Sequence, residues 1–145
     1  VNWPDPRPSL VIRYSYLGLR EAEAGREEGV KDRPCAVVIA IQDAAGRTEI
    51  HAAPITHSQP RADQDAIELP AAAKARLGLD AERSWIVVDE ANIFGWPGPD
   101  LRFLPGKGPE SAVYGFLPPA FFALVRERFL VGYRTRKARM VTRTE

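Results

Sequence analysis

Cysteine and histidine are scarce in this chain. Cys35 stands alone, and His51 and His57 are the two histidines. A disulfide framework within one chain and a cysteine-built zinc site are therefore excluded, and a histidine-rich metal site is disfavoured. No stretch approaches the ~20 apolar residues of a membrane span, and the first thirty positions carry no basic-then-apolar leader pattern. A reducing, cytoplasmic setting with no membrane partner is the expectation. Gly-rich phosphate loops, GxSxG elbows and HExxH pairs are also missing.

What is present suits one soluble domain. The 145 residues are 45% hydrophobic and 27% charged, too apolar for a disordered chain. The net charge of +1 conceals an asymmetry, because residues 126–145 carry +5 and the remainder −4. A basic end on an acidic body suits a polyanion or an acidic partner, or else a solvated helix face that frays into a tail.

Three prolines between Asn2 and Pro8 give an extended entry. Alternation from Ser9 to Tyr16 predicts a strand, and residues 20–33 then form a break with nine charged side chains. Cys35 to Ile41 is a short β-branched run suited to a buried central strand. Asp43 to Gly46 turns the chain, and Thr48 to Pro54 is its antiparallel return. Ala66–Leu69 and Ser84–Val88 are further strands. Between them Pro70 opens a short helix that Gly78 stops. Residues 95–119 hold six prolines and five glycines, which excludes regular structure over most of that span. Pro118 and Pro119 open a long helix whose inward stripe is Phe121, Leu124, Val125 and Phe129. The pattern predicts a mainly β fold with helical additions, a small barrel. Its core spans about 9–131, and 132–145 form a basic tail.

Candidate chemistry gathers at strand ends. Glu27, Glu28, Lys31, Asp32 and Arg33 precede the central strand, and Thr56, His57 and Ser58 follow its neighbour. If the two strands pair through the Asp43–Gly46 turn, Arg33 and Thr56 meet at one rim. Such a group can handle a phosphodiester without a metal. Arg33 would pair with phosphate oxygens, while a carboxylate or imidazole takes a 2′-OH proton. The plainer alternatives are an Arg33 ion pair with Asp32 or Glu28, and turn chemistry in Thr-His-Ser. Cys35, inside an apolar run, reads as an inert buried thiol.

Lys31-Asp32-Arg33-Pro34-Cys35-Ala36-Val37-Val38, with Pro54-Ile55-Thr56-His57-Ser58 about twenty residues later, resembles the PemK/MazF toxins. The resemblance extends to Asp89-Glu90, Trp96 and Gly115-Phe116-Leu117-Pro118-Pro119. It implies an SH3-like or CcdB-like barrel with a C-terminal helix, usually a homodimer. The implied activity is a metal-independent, cofactor-free endoribonuclease that cuts single-stranded RNA to a 2′,3′-cyclic phosphate. A cognate antitoxin would neutralise it. The phosphate-stabilising arginine falls on Arg33, the active-site threonine on Thr56, and the loop acid on Glu28, with Glu27 as its neighbour. The chain departs from the family in lacking a Gly-Asp opening, in its charged 18–31 loop and in its long Pro/Gly-rich 96–113 region.

Phe94 and Trp96 either stack on bases or pack in a core or dimer contact. His57 is either an acid–base group or a structural histidine. Lys31 and Ser58 complete the expected substrate contacts. A catalytically silent barrel that binds nucleic acid or protein is the alternative reading, and a simple interaction module a third.

Overall fold

The computed structural model describes residues 3–18, 32–135 and 139–143. Glu27, Glu28 and Lys31 lie outside the described residues. Eight strands form the sheet: β1 (Leu10–Ser15), β2 (Asp32–Gln42), β3 (Thr48–Thr56), β4 (Ala66–Glu68), β5 (Trp85–Val87), β6 (Glu90–Trp96), β7 (Val113–Phe116) and β8 (Arg139–Thr142). Two helices, α1 (Ala71–Leu77) and α2 (Pro119–Arg134), and a 3₁₀ turn at Pro109–Ala112 complete the fold.

The sheet path runs β4-β5-β3-β2-β1-β7, with β6 on β3 and β8 on β6. All pairs are antiparallel except β6–β8. The mainly β class with helical additions therefore holds, and the path among the described residues is open, with no pairing between its β4 and β7 ends. No helix among them is long and apolar enough to cross a membrane.

The β-branched run of β2 sits between β1 and β3, buried from Cys35 to Val38. Strand alternation sends its side chains into two cores. Ala36 and Val38 join Val11, Ala53, Ile55, Ile86, Val125 and Phe129 on the face that α2 covers. Cys35 and Val37 join Ile12, Tyr14, Ile50, Ala52 and Phe94 on the other. The β2–β3 register slips by one between Val37↔Ala52 and Ile39↔His51, a bulge after which Ile39 follows Val38 onto the α2 face.

Pro70 opens α1, and Gly78 ends it at φ 71, a left-handed position that glycine takes without a Cβ penalty. Helix α2 buries Val125 and Phe129 with Phe121 at their edge, but Leu124 of the expected stripe is 43% exposed. At 3.6 residues per turn the sheet is met by a narrower arc than four apolar residues span.

Most of 95–119 is irregular as expected, with β6 running to Trp96 and Val113–Phe116 forming β7 on β1 at its two ends. One expectation is corrected. Residues 139–142, expected in a basic tail, form a strand, and Arg143 beyond them is buried.

Candidate functional site

The bulge positions the site. Near the turn, Gln42 lies opposite Thr48 and Ile41 opposite Glu49, a register that would set Arg33 against His57 if it continued. Beyond the bulge Cys35 lies opposite Pro54, where the β2–β3 pairing ends, and the same register carried two residues further out would set Arg33 opposite Thr56. Directly opposed residues of an antiparallel pair project from the same face. The expected meeting of Arg33 and Thr56 at one rim is thus what the strands produce.

Two clefts share that rim. The first, about 370 Å³, is lined by Arg13, Pro34, Ile55, His57, Lys74 and Tyr114 among others. The second, about 510 Å³, is lined by Tyr16, Pro54, Ser58, Arg61, Asp89 and Glu90 among others. Alternation along β3 and the residues after it deals Ile55 and His57 to one and Pro54 and Ser58 to the other, while Arg33 and Thr56 line both.

Arg33 is half-buried at this position. Its neighbour Asp32 pairs with Arg102, at 3.5 Å, so the alternative of an Arg33–Asp32 bridge is not what forms. The Thr56 hydroxyl oxygen accepts the Ser58 N–H at 3.1 Å, which leaves its own proton to donate into the rim. His57 is held at both ring nitrogens, Nε2 at 2.8 Å from Asp80 and Nδ1 at 3.4 Å from Glu82. That arrangement favours the structural role over a free acid–base group.

The first cleft carries a further set of fixed cations. Arg13 donates to the Tyr114 hydroxyl at 2.8 Å and lies 4.5 Å over its ring. Lys74, only 5% exposed, donates to Asp80 at 2.9 Å, to Ser84 Oγ at 2.7 Å and to the Glu82 carbonyl. The Lys74 ammonium, chiefly, and the His57 ring hold the Asp80 carboxyl below the usual range. His57, Asp80 and Glu82 are the group among the described residues that brings three ligand-type side chains together, their atoms within 4.8 Å. Lys74 already neutralises Asp80, so an ion-pair network accounts for the grouping.

In the second cleft Tyr16 donates to Glu90 at 3.0 Å. Asp89 accepts the Asp65 N–H at 2.9 Å, yet burial pushes its carboxyl above the ordinary range. Cys35 is wholly buried, and desolvation drives its thiol far up, which makes it inert as expected.

Phe94 and Trp96 do not belong to this site. Phe94 is 3% exposed and stacked on Tyr14, with ring centroids 4.5 Å apart. Trp96 donates its indole N–H to the Pro4 carbonyl at 3.0 Å and pairs with Thr48. Thr48 is eight residues along β3 from Thr56, roughly 26 Å at strand rise. Core packing is therefore their role, and base stacking is withdrawn.

Arg13, Lys74 and Tyr114 were not singled out from the sequence. Arg13 had a signal, as the one charge within an apolar strand, and so did Lys74, between buried Ala73 and Leu77 on α1. Tyr114 had none. In comparisons with known proteins the chain matches no protein-family model, no curated protein and no solved structure.

Proposed function

We propose that this protein is a metal-independent endoribonuclease of the PemK/MazF toxin type, acting on single-stranded RNA. The observation that carries the reading is that Arg33 and Thr56, just beyond the last β2–β3 pair, both line the two clefts that share this rim. A strand of RNA laid along that rim would put one phosphate between them, with its neighbours extending into both clefts.

In this reading the 2′ oxygen attacks the adjacent phosphorus as the bond from phosphorus to the 5′ oxygen breaks, leaving a 2′,3′-cyclic phosphate. The 2′ proton passes to a base, and the departing 5′ oxygen takes a proton from solvent water. Arg33 balances the charge that builds on the non-bridging oxygens, and the Thr56 hydroxyl donates to one of them. Glu28 is the proposed base, and Lys31 and Ser58 the proposed substrate contacts. The small SH3-like or CcdB-like barrel, the homodimer, the cytoplasmic setting and neutralisation by a cognate antitoxin belong to the same proposal.

A second reading, a catalytically silent member that binds nucleic acid or protein, is favoured by the capture of both His57 nitrogens by carboxylates. One assay separates the two. Purified protein is incubated with single-stranded RNA in EDTA and the fragment ends are mapped. Discrete cyclic-phosphate ends are expected, with Arg33→Ala and Thr56→Ala each lowering the rate by about 10²–10³, the cost of a lost charge-stabilising donor. Intact RNA that still shifts on a gel supports the silent member. RNA neither cut nor bound sinks both.

A further inference from the structure

The C-terminal strand starts beside the second cleft, with Arg139 opposite Glu90, which lines it. β8 lies parallel to β6, with Asn92 opposite Val141, and the Arg143 N–H continues the ladder to the Ile93 carbonyl at 2.9 Å. The Arg143 side chain then turns inward. Its Nη1 donates to the Ser15 carbonyl at 2.6 Å and to Asn92 Oδ1 at 3.0 Å, while Nη2 meets Asp100 at 3.0 Å.

Asn92 is fully buried and holds one residue by both backbone groups. Oδ1 accepts the Leu17 N–H at 2.8 Å, and Nδ2 donates to the Leu17 carbonyl at 2.8 Å. A guanidinium can only donate, so Arg143 requires Oδ1, not Nδ2, on its side of the amide. The amide so turned is complementary to both Leu17 groups. Leu17 sits between Tyr16 and Gly18, and both of these line the second cleft.

We propose that the C-terminal strand is a positioning clamp for the second cleft. Arg143 and Asn92 act as positioning residues through Leu17. The clamp follows from the contacts alone, and its effect on RNA rests on the endoribonuclease reading. Arg143 is buried and lines neither rim cleft, so its loss should loosen substrate binding and leave the chemical step at Arg33 and Thr56 in place.

The test compares wild type with Arg143→Met, Arg143→Lys and Asn92→Leu, with Phe129→Leu as a core control that destabilises without touching the chain of contacts. Two readouts are taken well below each variant's unfolding temperature. Hydrogen exchange should show the Leu17 amide losing protection in the three clamp variants while β2 amides keep theirs, and Phe129→Leu should not single out Leu17. RNA cleavage should show KM raised severalfold in the clamp variants with kcat unchanged.

Leu17 protection and KM both unchanged in a folded Arg143→Lys overturn the clamp, as does a loss of protection spread evenly over the sheet. Should Arg143→Met fail to fold, Arg143→Lys carries both readouts. It keeps a positive charge near Asp100 and cannot reach Ser15, Asn92 and Asp100 at once. If wild type cuts no RNA, the endoribonuclease reading fails by itself, and exchange at Leu17 still decides the clamp.

Discussion

Lys74 ties α1 to three residues of the loop that follows it through one ammonium group, and its surroundings set the acid sensitivity of the first cleft. A buried lysine is tolerated only when its proton donors are met, and here a carboxylate, a hydroxyl and a carbonyl meet them. Lys74→Met should destabilise the fold by about 1–3 kcal/mol, because Ser84 and the Glu82 carbonyl lose their donor. Urea denaturation would show it. Asp80 supplies the pH dependence. Its carboxyl is depressed in the folded state, so its stabilisation is present above the unfolded carboxyl's pKa and is lost as pH falls through the folded one. The urea midpoint of wild type should exceed that of Asp80→Asn at neutral pH, and the two should converge in acid. His57 was a visible candidate in the sequence, but its partners are 23 and 25 positions away, and only folding brings them to its ring.

At the scale of elements, the β2 bulge decides more than any single side chain. A regular β2–β3 hairpin would oppose Arg33 to His57, and the one-residue slip after Val37 substitutes Thr56. The turn, the apolar run and the polar strand ends are all readable from residue types. The slip is not, because Val38 and Ile39 are interchangeable in any hydrophobic pattern. Helix α2 makes a similar point. Its period was plain, yet the sheet accepts Val125 and Phe129 and leaves Leu124 outside. Phe129→Ala should cost about 3–5 kcal/mol of stability and Leu124→Ala far less, measurable by thermal or urea unfolding. Gly78→Ala should lower stability by about 1–2 kcal/mol, through the left-handed φ and not through crowding, since no atom lies within 4 Å of the added Cβ. A neutral Gly78→Ala would contradict that account.

Across the whole molecule, the charge split changes its meaning. Part of the basic end is taken up by ion pairs, inside the fold where Arg143 meets Asp100 and on the surface where Arg128 of α2 pairs with Asp65. Removing residues 139–145 should therefore destabilise by about 3–5 kcal/mol, since it takes β8 from β6 and the nearer of two arginines from the buried Asp100 carboxylate, leaving Arg102 at 3.9 Å. A solvated tail would leave the urea midpoint where it was.

Composition and local pattern by themselves determined the mainly β class, most strands, both helices and the meeting of the polar ends of β2 and β3 at one rim. These depend on near neighbours in the chain, on alternation, turn residues and helix caps. The bulge that only folding decides turned Arg33 toward Thr56. Folding alone decided that Phe94 and Trp96 pack away from that rim, that Arg13 and Lys74 stand beside it, and that the C-terminal strand closes on β6. Each of those is a contact between distant segments, fixed by which faces bury together. The scarcity of cysteine and histidine belongs to the first kind of knowledge. That the remaining histidines are both bound into hydrogen-bonded networks belongs to the second.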